Sequence, residues 1–134
     1  MNYSMKATST AKNNASIQIK NTEINFGTTK DSADTLANPA ELFLSSFSAC
    51  ILKNVERFSD LMHFEYNTAE ITVNAIRLEK PPRMDQINYE LIVYSQDETL
   101  NINLLKKNIE KFGTIYNTVS QCCTIVGDVK KIVD

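Results

Sequence analysis

The segment from Asn38 to Leu61 constrains this chain most. Asn38 is a preferred helix N-cap, and Pro39 suits the first helical position, where its missing N–H is not needed. Glu41 stands three residues after Asn38, so its carboxylate can reach back to the cap N–H. From there Leu44, Phe47, Ile51, Val55, Phe58 and Leu61 recur at spacings of three and four. Leu42, Phe43, Ala49, Cys50 and Leu52 make the first half apolar nearly all round. That pattern predicts a long helix buried in a core or in a subunit interface.

The flanking sequence alternates instead. Ala15 to Lys20 places Ile17 and Ile19 on one face, and Glu23 to Phe26 repeats the pattern after a polar break at Asn21-Thr22, which predicts a hairpin. Met5 to Thr10 supplies a candidate first strand, and Gly27 to Ala37 reads as a loop. Beyond the helix, Ala69 to Leu78 and Ile87 to Tyr94 read as strands, the second with Tyr89, Leu91 and Val93 on one face. They are separated by Glu79-Lys80-Pro81-Pro82-Arg83, whose prolines cannot donate to a ladder. Leu100 to Phe112 is helical by spacing, with Gly113 as its cap, and Tyr116 to Gln121 forms a further short helix. Cys122 to Val126 and Val129 to Val133 read as β-type segments around Gly127-Asp128. This order predicts a single α+β domain over residues 1–134, its central helix packed on an antiparallel sheet.

Composition excludes several classes. Fourteen basic against sixteen acidic residues give a net charge of -2, without the clustered basic excess of a nucleic-acid binder. Lys106-Lys107 and Lys130-Lys131 are short and flanked by Glu110 and Asp128, as on solvated faces. No run approaches the ~18 apolar residues of a membrane span, and Met1 to Asn14 is polar rather than signal-like. Three cysteines without framework spacing, and one histidine (His63), give neither a disulfide scaffold nor a zinc set. The expectation is a cytoplasmic protein with free thiols, no cofactor and no metal.

Few residues are left to carry chemistry. Cys50 follows the small residues Ser45, Ser46, Ser48 and Ala49, which leave room for another chain or a ligand to approach. Free cysteine is also a common buried residue that acts as a small hydrophobe, so a core role stands beside the reactive one. Glu41 is accounted for as the partner of Asn38, and His63 as a helix-end residue. Cys122 and Cys123, if on a strand, point to opposite faces, one into the core and one outward. With three glycines and no G-x-G, a phosphate loop is excluded, and there is no G-x-S-x-G elbow.

The string Asn38-Pro39-Ala40-Glu41-Leu42-Phe43-Leu44-Ser45-Ser46-Phe47-Ser48-Ala49-Cys50 resembles the signature of the OsmC/Ohr family, the osmotically inducible and organic hydroperoxide resistance proteins. The resemblance continues through Arg77 to Tyr94 and ends in Lys111 to Val119, which is similar to the family's second signature. It implies an intertwined α+β homodimer with thiols at its interface. It also implies that Cys50 is a peroxide-reacting nucleophile, with an arginine and a glutamate lowering its pKa, a second cysteine resolving the sulfenic acid, and a dithiol reductant restoring the pair.

The sequence departs from that pattern in three places. Gly113 stands where the resolving cysteine belongs, and Thr114 where the proline belongs. Ala40 occupies the glutamate position of the active reductases, with Glu41 one residue on as a helper or only a cap. No arginine precedes Arg57, and Lys12 stands near the arginine position, keeping the charge without the bidentate fork. Two readings follow from the resemblance. One is a thiol peroxidase acting on organic hydroperoxides through Cys50, regenerated by an external thiol or by Cys122 or Cys123. The other is a non-catalytic dimer of the same fold holding a small apolar ligand at its interface. A structural module with all three cysteines inert is the third alternative.

Overall fold

The computed structural model describes residues 1–134 and divides into two compact units, Met1–Phe43 and Leu44–Asp134. In the first, β1 (Lys6–Ser9), β2 (Ala15–Ile19) and β3 (Thr22–Phe26) form an antiparallel sheet in that order. The β2–β3 hairpin is tight, with Lys20 at φ 51° in the turn and Ile17 opposite Ile24. The segment after β3 is a loop with one 3-10 turn at Lys30–Ser32. The helix α1 (Pro39–Leu61) opens at the end of this unit and lies in the second from Leu44 onward.

The second unit is built around α1. It adds β4 (Thr68–Glu79), β5 (Pro82–Tyr94), α2 (Ile102–Phe112), α3 (Thr114–Ser120) and β6 (Ile125–Ile132). The sheet order is β4-β5-β6. β4 and β5 pair antiparallel as a hairpin, while β6 pairs parallel to β5, with α2 and α3 as the crossover between them. The second sheet is therefore mixed rather than antiparallel throughout, within the α+β class read from the sequence.

The core lies on one face of β5. Ile87, Leu91 and Val93 are fully buried and Tyr89 nearly so, with exposed or half-buried residues between them. Phe47, Ile51, Val55 and Phe58 of α1 and Leu105 and Ile109 of α2 complete it. Each such side chain stabilises the fold by roughly 1.5–3 kcal/mol through removal of apolar surface from water.

Several sequence expectations are corrected. Only the stripe Phe47, Ile51, Asn54, Val55 and Phe58 of α1 is buried. Leu42, Phe43 and Leu44 are half-buried and Ala49 is exposed, so the first half is not enclosed within the chain. Leu61, the last member of the apolar series, is 56% exposed at the helix end, where the chain turns away through His63 at φ 58°. β5 begins at Pro82, five residues before the alternating run, because a bulge resets its pairing. Asn74 opposes Asn88 but Ile76 opposes Asp85, so β5 carries one extra residue there, with Gln86 at φ 50°.

The C-terminal strand is also misread from sequence. β6 is one strand running straight through Gly127, which lies opposite Tyr89 in the parallel register. A Cβ at Gly127 would fall 2.0 Å from the Tyr89 ring. The glycine is there for space, not for a left-handed backbone, since no glycine has a positive φ. Tyr89 lies across β6 at the one position without a side chain.

Gly127→Ala is expected to evict the Tyr89 ring and to cost about 1–3 kcal/mol, as overpacking does. Urea unfolding would show a lower midpoint at unchanged slope. The same substitution in a Tyr89→Ala background should cost little, and an equal cost in both backgrounds would refute the packing argument.

Candidate functional site

α1 places Cys50 one turn after Phe47 and one turn before Asn54. Cys50 is half-buried and forms no disulfide. Asn54 is 7% exposed, a polar residue on the buried stripe of the helix. Its Nδ2 donates to the Cys50 carbonyl at 3.1 Å and reaches Cys50 Sγ at 3.8 Å. A buried amide has to find partners, and here those partners are the backbone and sulfur of Cys50.

Facing Cys50 is the junction of α2 and α3. Gly113 closes α2, its N–H donating to the Ile109 carbonyl at 3.1 Å, and opens α3, its carbonyl accepting from the Asn117 N–H at 2.9 Å. A Cβ on Gly113 would stand 2.9 Å from the Ile109 carbonyl oxygen, 3.0 Å from the Tyr116 Cβ and 3.3 Å from Cys50 Sγ. The backbone is in an ordinary extended conformation, φ -77° and ψ 118°, so the glycine answers crowding. The thiol of Cys50 therefore looks onto the Gly113 backbone.

An aromatic wall continues from that junction. Tyr116 stacks on Phe47 with ring centroids 5.8 Å apart, and Phe47 meets Tyr89 at 6.0 Å. The Tyr89 hydroxyl donates to Glu110 Oε2 at 2.7 Å, and Lys106 Nζ pairs with Glu110 Oε1 at 3.3 Å. Burial, and then Glu110, push the Tyr116 phenol up to about 12. Burial first, and then the bond to Glu110, raise Tyr89 further. Both phenols stay protonated donors, and the lysine of this cluster is engaged by Glu110.

The other sequence candidates lie as follows. Glu41 forms the reciprocal cap: Asn38 N–H donates to Glu41 Oε1 at 3.1 Å, and Glu41 N–H donates to Asn38 Oδ1 at 2.8 Å. Lys12 is exposed at φ 68° in the turn between β1 and β2. Cys122 and Cys123 are not on a strand. They occupy the turn between α3 and β6, Cys122 exposed and Cys123 half-buried, with their sulfurs 3.7 Å apart rather than on opposite faces. Their hydrogen-bond partners are each other and the carbonyls of Val119 and Met84, not Cys50. Sequence reasoning does not select Asn54, Glu110, Tyr89 or Tyr116 as site residues. Of these, Asn54 alone carries a signal, as a polar side chain on an otherwise apolar helical stripe.

The Tyr89 phenol couples stability to alkaline pH. The folded chain holds its proton where the unfolded chain releases it at the ordinary value of 10.0. That contribution to stability is complete below pH 10.0 and declines as pH rises above it. Tyr89→Phe should show a shallower alkaline loss of the urea midpoint than wild type, and parallel profiles would remove Tyr89 from the account. Separately, Gly113→Cys should form a disulfide with Cys50 on mild oxidation, at some cost in stability from the Ile109 carbonyl. Peptide mapping without reductant checks it, and an introduced thiol that stays free would show that the two backbones do not approach as described.

Known proteins share this arrangement of elements. A family model described as OsmC-like protein matches residues 30–126. An OsmC-like protein from Mycoplasma pneumoniae superimposes with a TM-score of 0.86 at 16% identity, covering 98% of both chains. An organic hydroperoxide resistance protein from Elizabethkingia anophelis gives 0.67 at 16% identity, over 100% of this chain and 99% of the other. One from Legionella pneumophila gives 0.67 at 12%, over 97% and 98%. No curated protein sequence matches the chain. At these identities the structural likeness speaks for the fold, and the family match spans most of the sequence, from the loop before α1 to the first residues of β6. By fold and by family signature together, this chain belongs to the OsmC-like protein family.

Proposed function

We propose that this protein is a cysteine-dependent peroxidase that reduces organic hydroperoxides, with Cys50 as the nucleophile. The observation that carries the reading is the setting of Cys50. Cys50 is half-buried, its sulfur touched by the Asn54 amide and facing the Gly113 backbone beside the Phe47–Tyr116 stack. Such a wall suits the alkyl part of an organic peroxide better than hydrogen peroxide. Neighbours of the same fold named as organic hydroperoxide resistance proteins support the substrate class.

The chemistry divides into two steps. The Cys50 thiolate attacks the distal peroxide oxygen, an S–O bond forms as the O–O bond breaks, and the alkoxide leaves and takes a proton to become an alcohol. Cys50 is left as a sulfenic acid. An external thiol then displaces water from that sulfur, and a second thiol equivalent reduces the mixed disulfide and returns Cys50 to the thiol. The external reductant belongs to the proposal because the residue beside Cys50 is Gly113, and because Cys122 and Cys123 are hydrogen-bonded elsewhere. A cytoplasmic homodimer completes the reading. Leu61, Ile76, Leu104, Phe112 and Val126 are each more than 40% exposed, apolar surface that a second copy would cover.

Reduced protein treated briefly with cumene hydroperoxide in the presence of dimedone should carry one adduct, mapped to Cys50. The Cys50→Ser variant should consume no peroxide. A disulfide from Cys50 to Cys122 or Cys123 would replace the external reductant with an internal one. Full turnover by Cys50→Ser would end the proposal, and an unmodified Cys50 would favour the non-catalytic dimer with an apolar ligand.

A further inference from the structure

The turn between α3 and β6 holds the other two thiols in a fixed arrangement. The N–H groups of Cys122 and Cys123 both donate to the Val119 carbonyl, at 3.0 and 2.9 Å, which folds the chain back at the end of α3. Cys122 Sγ lies 3.4 Å from that same carbonyl oxygen, and Cys123 Sγ lies 3.3 Å from the Met84 carbonyl oxygen on β5. Asp85 Oδ1 accepts from the Thr124 N–H at 2.9 Å and the Gln86 N–H at 2.8 Å, tying the turn to the bulged part of β5. The two sulfurs are thus positioned by main-chain groups on two elements, 3.7 Å apart, with Cys122 open to solvent.

We propose that Cys122 and Cys123 form a bidentate dithiol site for trivalent organoarsenicals. The sulfur spacing selects the ligand geometry. Bonds of about 2.3 Å would put two sulfurs on a linear two-coordinate centre about 4.6 Å apart, too far for this pair, whereas a bent S–X–S centre matches it. No histidine, further cysteine or carboxylate joins the pair to complete a metal set. An organoarsenic centre needs only two sulfurs, because it brings a carbon substituent as its third bond.

The capture step is a condensation. An arsenoxide, R–As=O, meets two S–H groups; two S–As bonds form, both S–H bonds break, and the arsenic oxygen leaves with the two protons as water. Arsenic and sulfur keep their oxidation states. Cys122, being exposed, bonds first, and Cys123 then closes the ring from beside it. Burial and its neighbour push the Cys123 thiol up to about 11, so it enters as a neutral thiol whose proton departs with the oxygen. The site makes no use of Cys50 and stands apart from the peroxidase proposal.

The test uses the reduced full-length chain and one equivalent of phenylarsine oxide, followed by native intact mass and thiol titration. The expected result is one phenylarsenic per chain with two thiols lost, resistant to a monothiol wash and removed by 2,3-dimercaptopropanol. Cys50→Ser should retain it. Cys122→Ser and Cys123→Ser should each lose roughly 100-fold or more in retention, because the second bond is then no longer intramolecular. Should a serine variant misfold, the wild-type peptide map decides, with arsenic bridging Cys122 and Cys123 as the supporting result. An adduct that maps to Cys50, retention unchanged in folded Cys122→Ser or Cys123→Ser, or no adduct at all would overturn the proposal.

Discussion

Phe47 is the residue on which the second unit depends. It is fully buried and meets Tyr89 of β5 on one side and Tyr116 of α3 on the other. The central helix, the sheet and the corner between α2 and α3 are therefore registered against one ring. Tyr89 can reach it only because Gly127 leaves the surface of β6 bare at the paired position. The bond from Tyr89 to Glu110 then draws α2 into the same arrangement. Cys50 follows Phe47 by one helical turn, so its position is set by this packing.

Local chemistry made much of this legible. The Asn38, Pro39 and Glu41 signals mark where α1 begins, and the reciprocal hydrogen bonds are those the spacing implies. Alternation located β2, β3 and the buried face of β5, because a period of two is written into the chain whatever its neighbours. The family resemblance, carried by the string from Asn38 to Cys50, is supported by a match over residues 30–126. What escaped was set by partners distant in sequence. Gly127 looks like a break until Tyr89 is placed opposite it, and the expected antiparallel sheet becomes mixed once the crossover makes β6 parallel. Gln86, the extra residue of the bulge, carries no local mark of its position.

The candidate site divides in the same way. Cys50 was visible as a thiol in an unusual helix, and Asn54 was within reach of the same helical arithmetic. Tyr116 enters only through its stack on Phe47 of α1, and Glu110 through its bond to Tyr89 of β5. For Cys122 and Cys123 a strand would put the sulfurs on opposite faces. A helix-ending turn, with two N–H groups converging on one carbonyl, puts them side by side instead. One backbone assignment thus separates two independent thiols from a chelating pair.

The bare backbone at Gly113 has a kinetic meaning for Cys50. Where a side chain lines a thiol, rotamer changes open and close the space beside it in picoseconds to nanoseconds. On this side Cys50 looks at main chain, and main chain has no rotamer to swing. That side can open only if the corner between α2 and α3 shifts against α1, a collective displacement on the order of microseconds to milliseconds. Admission of a bulky molecule to that side of the sulfur is thereby tied to the motion of two helices.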